Sequence, residues 1–198
     1  MKKLPRSFYL RPTVVVAKDL LGKYLVRKTP RAVLIGKIVE VEAYLGDRDP
    51  ASHAYNGRTN RNEVMFWKGG HLYVYFTYGM HYCANVVTCE PQIARAVLLR
   101  AVEPIEGIAF MKKHRGKQIE KRMLTNGPAK LCQAFGIDRK DNGVDLLGDV
   151  IFIAQGEAIP RIAVLSSPRI GITRAIYHRW RFYVKDNPWV SRSRQLRG

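Results

Sequence analysis

The chain has 198 residues, 46% of them hydrophobic, and 34 Lys and Arg face 16 Asp and Glu, giving a formal net charge of +18 and a pI near 10.1. That apolar content excludes a disordered chain, and the length suits one domain, expected to span residues 1–198. No apolar run approaches the roughly 18 residues of a membrane span, no apolar signal-peptide core follows Met1-Lys2-Lys3, and three cysteines (Cys83, Cys89, Cys132) without a CxxC argue against a disulfide framework or a thiolate zinc site.

The first predicted element is a helix from Arg11-Pro12 to Gly22: Pro12 suits a first turn, Val14–Ala17 and Leu20-Leu21 are apolar, and Gly22 is a stop. Lys23–Lys28 and Val33–Tyr44 read as strands around Thr29-Pro30-Arg31. Asp47–Glu63 lacks hydrophobic periodicity, carries Asp-Pro and Asn-Gly, and reads as a long polar loop, a kind usually functional or disordered. His71–Tyr78 and His81–Thr88 are rich in Tyr, Val and Phe and read as a hairpin turning at Gly79-Met80. Ala94–Val102 is a further strand whose apolar run ends at Arg100, and Pro104 predicts the first turn of an amphipathic helix to His114. Arg115–Arg122 is basic and expected to be exposed, while Asn126–Ala129 introduces a short helix ending near Gly136. Val150–Ala154, Arg161–Val164, Arg169–Thr173 and Arg181–Lys185 are short strand candidates, and the termini, including the basic tail Ser191–Gly198, are expected to fray. Strands outnumber helices and follow one another, which predicts an α+β fold: a single mixed domain around a curved, largely antiparallel β-sheet with flanking helices.

Positive charge spread along the whole chain favours a nucleic-acid partner over a membrane surface. Charge supplies affinity and no chemistry, so a non-catalytic DNA- or RNA-binding domain is one reading. Within Ile38–Gly46, Glu40 and Glu42 alternate with Val39 and Val41, which predicts a strand with both carboxylates on one face. The plainer reading is an edge strand with a wet acidic face; the sharper one is a general base at Glu42, beside Tyr44. Tyr73, Tyr75, Tyr78 and Tyr82 crowd one hairpin, either as a half-buried aromatic sheet or as a surface for stacking bases, with Tyr78 at the turn able to act as a wedge. His53 lies in the polar loop after the carboxylate strand and is a candidate ligand contact, while the other histidines read as surface or strand residues. The zinc deaminase signature, HExxH and the phosphate-binding GxxxxGK[ST] are all missing, so no metal or cofactor is expected.

The segments GKIVEVEAYLGDRDPASHA, MFWKGGHLYVYFTYGMHYCANV, AVLLRAVEP, NGPAKLCQAFGI, PRIGIT and RFYVKDNPWVS, in this order from about residue 10 to 192, resemble the 3-methyladenine (alkyladenine) DNA glycosylase family. The resemblance implies a glycosylase acting on double-stranded DNA that contains alkylated, and also deaminated or etheno, purines; no lysine stands out as a Schiff-base nucleophile, so a monofunctional enzyme without strand cleavage is expected. In that role Glu42 activates a water against the deoxyribose C1′ of a flipped-out nucleotide. Arg100 and the Ile170 carbonyl help hold that water. Tyr44 and Tyr75 sandwich the base, His53 closes its edge, Asn85 disfavours the exocyclic amino group of guanine, and Tyr78 fills the gap left in the duplex. The resemblance further implies a monomer without cofactor or membrane attachment, in the cytoplasm beside the nucleoid of a bacterium or in the nucleus of a eukaryote. Glu40, on the same strand face as Glu42, leaves a second hydrolytic reading, a paired-carboxylate glycoside hydrolase, which the basic surface disfavours.

Overall fold

The computed structural model describes residues 1–116 and 118–191. Helix α1 (Arg6–Tyr9) is one turn that the sequence did not announce, and α2 (Thr13–Leu20) lies inside the predicted 11–22 span. Strands β1 (Tyr24–Thr29) and β2 (Ala32–Tyr44) follow, then the hairpin of β3 (Leu72–Thr77) and β4 (His81–Val87), then β5 (Ala96–Glu106). Helices α3 (Ile108–Arg115) and α4 (Pro128–Phe135) precede the short strands β6 (Ile151–Ala154), β7 (Val164–Ser167) and β8 (Arg181–Val184).

Every strand pairing is antiparallel, in the order β3-β4-β5-β2-β1-β6, with β8 joined to β2 and β7 to β8. The architecture is therefore α+β, as the order of predicted elements implied. β2 is the strand on which the sheet forks. Its first half pairs with β1 up to Lys37, and Glu40, Val41 and Glu42 pair with β8 instead, while β5 accompanies it from Ile35 to Tyr44. With neighbours along both edges and layers on both faces, β2 has no wet side, and every residue from Ile38 to Ala43 is buried. The edge strand with a solvated acidic face is thereby excluded.

The two faces of the sheet divide the work. Val41, Ala43, Leu99, Val97, Val86 and Leu72 belong to the main apolar core, with Val16 and Leu20 of α2, Met111 of α3 and Leu131 and Phe135 of α4. Alternation sends the intervening residues to the other face. There Tyr73, Asn85, Leu98 and Glu42 form one cross-strand row through β3, β4, β5 and β2. A smaller cluster of Ala54, Val64, Met65, Tyr73 and Ala96 packs the 54–66 segment onto this side.

Four local expectations change. Pro104 does not open a helix: β5 runs on to Glu106, with Pro104 opposite Gly36, and α3 begins only after Gly107 turns the chain at φ +76°. Past Leu98, β5 has no β4 partner, so a residue lacking an N–H is tolerated at what has become an edge. Arg161–Ala163 is a 3₁₀ turn and the strand starts at Val164. Arg169–Thr173 is a loop, with Gly171 at φ +77°, and not a strand. The N-terminus is tied down rather than frayed: Leu4 is buried, its N–H donates to the Ile153 carbonyl at 2.9 Å, and Lys3 bridges to Ala154. Fraying of the C-terminal tail concerns residues 192–198, which lie outside the described residues.

Candidate active site

The face carrying the Tyr73–Asn85–Leu98–Glu42 row floors a cavity of about 460 Å³. Its walls include Tyr44 at the end of β2, Tyr75 of β3, Asn85 of β4, Arg100 of β5, His53 of the long loop and Ile170 of the loop between β7 and β8. Tyr78 stands at the mouth, on the hairpin turn, 80% exposed. Tyr78 and Gly79 both have positive φ, +52° and +64°, the left-handed pair that a tight hairpin needs. The seven side chains given site roles in the sequence thus converge on one region, six on the cavity wall and one just beneath it, while Tyr82 of the same hairpin packs against the main core and Phe76.

The one beneath is Glu42, which is 0% exposed. Its Oε1 accepts the Ile170 backbone N–H at 2.8 Å and lies 3.1 Å from Arg100 Nη1, and its Oε2 accepts the Tyr44 hydroxyl at 2.9 Å. Strand geometry explains two of these partners. Tyr44 is two residues further along the same face, and Arg100 is the diagonal neighbour of Glu42 across β5, two residues past its direct partner Leu98. Ile170 arrives from 128 residues away in the chain and meets Glu42 through its N–H. Burial, and then the Glu42 charge, push the Tyr44 hydroxyl well above its ordinary range, so it stays protonated and donates. Burial works against the charge of Arg100, but Glu42 and Glu40 beside it hold it more firmly protonated than usual.

Glu40 does a different job. Its Oε1 accepts from Arg100 Nε at 2.8 Å, Arg181 Nε at 2.7 Å and the Ser191 hydroxyl at 2.7 Å, and its Oε2 accepts the Ser191 N–H at 2.6 Å. Burial alone would raise its pKa; Arg100, Arg181 and the Ser191 N–H lower it below the ordinary value. Glu40 does not line the cavity. Four donors leave it little capacity for a substrate, so the paired-carboxylate reading loses its second acid. Its charge fixes Arg100 from behind and ties the C-terminal segment to β2.

On the far wall, the His53 Nδ1 meets the Tyr73 hydroxyl at 3.0 Å, and its ring packs edge-on against Tyr75 with centroids 4.4 Å apart. Burial, helped by Arg61, lowers the His53 pKa, which keeps the imidazole neutral at pH 7. Burial pushes the Tyr73 hydroxyl up to about 12 against the opposing charge of Arg61. Asn85 Nδ2 donates to the Tyr73 carbonyl at 3.2 Å, which holds the amide against the floor.

Sequence reasoning missed four residues that hold this site together, Asp49, Arg169, Arg181 and Ser191, and marked Tyr73 only as one of the crowded hairpin tyrosines. Arg169 and Asp49 are both fully buried and form a fork-to-fork ion pair, with Nη1–Oδ2 at 2.5 Å and Nη2–Oδ1 at 2.7 Å. The two lie 120 residues apart and no local pattern links them; Asp49 reads as the start of an Asp-Pro turn and Arg169 as one more basic residue. Among the described residues, no group of three or more His, Cys, Asp or Glu could hold a metal ion, and no helix is long and apolar enough to cross a membrane.

Comparison with known proteins adds a family. A sequence model of the methylpurine-DNA glycosylase family matches residues 7–188. A protein of Carboxydothermus hydrogenoformans is 53% identical over 96% of this chain and 98% of its own length. One from Chlorobaculum tepidum is 48% identical over 98% of this chain and 92% of its own, and one from Clostridium perfringens (strain 13 / Type A) is 46% identical over 96% and 99%. Each bears the name "Putative 3-methyladenine DNA glycosylase".

Proposed function

This chain belongs to the methylpurine-DNA glycosylase family, and we propose that it releases alkylated purines, 3-methyladenine among them, from duplex DNA by hydrolysing the N-glycosidic bond and leaving an abasic site. The observation that carries this reading is Glu42: a fully buried carboxylate at the base of a cavity of purine-accommodating size, held by three groups of the cavity wall.

A carboxylate offers roughly four acceptor positions. Ile170 and Arg100 occupy Oε1 and Tyr44 occupies one position on Oε2, so Oε2 retains one for a water. A water bound there gives its proton to Glu42 as its oxygen attacks C1′ of the deoxyribose, and the purine leaves with the bonding electrons. A base inside the duplex is beyond reach, so the nucleotide is extruded first, at a cost lowest for damaged or mispaired bases. Tyr78 fills the space it vacates, as an apolar wedge. Tyr44 and Tyr75 stack on the base, and a cationic methylpurine gains ~1–2 kcal/mol over a neutral one on a desolvated aromatic face. A cationic purine is a good leaving group and needs little acid catalysis. Neutral deaminated or etheno purines lack that charge, so we expect slower release of them from the same pocket. Arg100 steadies the water through its hold on Glu42, Asn85 disfavours the exocyclic amino group of guanine, and the net charge of +18 supplies salt-sensitive attraction to the phosphate backbone. We read the protein as a monomer acting on DNA in the compartment that holds the chromosome.

The test is release of free base from methylated duplex DNA, assayed alongside Glu42→Gln. Release by the wild type and not by the variant supports the reading. A protein that binds lesion and undamaged duplex equally and releases nothing is a nucleic-acid binding domain instead.

A further inference from the structure

We propose that the buried Asp49–Arg169 ion pair positions the reaction centre: it sets the Ile170 N–H and the Tyr44 side chain, two of the three groups that hold Glu42. The inference rests on the glycosylase reading above and extends it to residues that touch no substrate.

The geometry centres on one guanidinium. Arg169 lies over the Tyr44 ring at 4.5 Å and over the Trp180 ring at 5.1 Å, and Trp180 is itself stacked on His178 at 3.9 Å with the rings 4° from parallel. His178, Trp180, Arg169 and Tyr44 thus form a column behind the cavity wall. One ring face of Tyr44 is taken by Arg169, and the wall is built from the rest of the residue. Arg169 Nη1 also donates at 3.0 Å to the carbonyl of Ala43, the residue between Glu42 and Tyr44. Arg169 immediately precedes Ile170, so fixing its side chain to β2 fixes where the Ile170 N–H meets Glu42 Oε1. Asp49 completes the device from the other side. Its Oδ2 accepts the Leu45 N–H at 3.2 Å and its Oδ1 the Ala51 N–H at 3.1 Å, which folds the loop leading to His53.

Asp49 also answers an electrostatic problem. A bare guanidinium behind Tyr44 would repel a cationic base on the ring's other face. Paired in a fork with Asp49, Arg169 keeps its shape and its stacking while the pair carries no net charge. A lysine there would keep the charge but could neither lie flat between two rings nor grip both Asp49 oxygens with a planar two-nitrogen fork.

The experiment compares wild type, Asp49→Asn, Arg169→Lys and Trp180→Leu on a duplex with a single methylated purine, well below each protein's melting temperature. Two quantities are read: the single-turnover excision rate at saturating enzyme, and the dissociation constant for lesion duplex. Misaligned catalytic groups lose rate steeply, so Asp49→Asn and Arg169→Lys are expected to lose about tenfold or more in rate while binding weakens by less than about threefold. Trp180→Leu, which leaves the ion pair in place, is expected to lose less. A merely structural pair would lower the melting temperature and leave the rate of the folded protein unchanged, and that result overturns the inference. If Arg169→Lys does not fold, the isosteric Asp49→Asn decides by the same criterion. Wild-type protein that releases no base sinks the glycosylase reading; wild-type release with undiminished variants sinks this inference alone.

Discussion

The Tyr44 hydroxyl donates to Glu42 Oε2 at 2.9 Å, so a residue that walls the cavity also holds the acid beneath it. In the proposed reaction, one side chain therefore couples the stacking of the base to the aim of a buried carboxylate. The contact follows from β2 itself, where the two residues sit two apart on one face.

Glu42→Gln is expected to fold, because the new amide can still accept from Ile170 and Arg100 through its oxygen and turn its NH₂ toward Tyr44, whose hydroxyl then accepts. It cannot take a proton from water, so single-turnover base release should fall by ~10²-fold or more. Activity within a few-fold of wild type would assign the chemistry to another residue.

Tyr78→Ala removes an 80% exposed ring from a turn and should leave the melting temperature nearly unchanged. Excision from duplex DNA should fall, and excision of the same lesion in a single strand should stay near wild type, because no stack has to be filled there. Equal losses on both substrates would rule out the wedge.

Glu40→Gln is expected to act on stability. The folded-state pKa of Glu40 lies below its ordinary value of 4.5 because Arg100, Arg181 and the Ser191 N–H outweigh burial. Its contribution is therefore fully present above that value and is lost as pH falls through the folded-state pKa. At pH 7 the variant leaves Arg100 and Arg181 short of a buried counter-charge, at a cost of about 3–5 kcal/mol. Denaturant unfolding of both proteins between pH 7 and pH 3 measures this, and the gap between them should narrow on acidification. A gap independent of pH would mean that Glu40 is not an ionised partner.

Asn85→Ala tests discrimination. The Asn85 amide is held on the cavity floor by the Tyr73 carbonyl, and its removal opens space on that floor. Release of normal guanine should rise by about tenfold relative to methylated purine, the scale on which one small group discriminates in a pocket. An unchanged ratio of the two bases would place the discrimination elsewhere.

Much of this was legible along the chain. The Val–Glu alternation put Glu40 and Glu42 on one strand face, the apolar-aromatic runs around Gly79 gave the hairpin, and Pro128 and Gly136 bracket α4 as turn chemistry predicts. Pro104 misled because its missing N–H suits a strand edge as well as a first turn, and only the neighbouring strand's length distinguishes the two.

The residues alone determined the α+β class, the strand that carries the acids and the aromatic wall, because alternation and turn chemistry act between near neighbours. Alternation put Glu40 and Glu42 on one face, and the strand's end beside Tyr44 pointed to Glu42 without saying what Glu40 does. The tertiary fold gives them different partners: Ser191, Arg181 and Arg100 donate to Glu40, while Ile170, Tyr44 and Arg100 hold Glu42 beneath the cavity. Those partners come from as far as 151 residues away, and no pattern of local spacing encodes which carboxylate they meet.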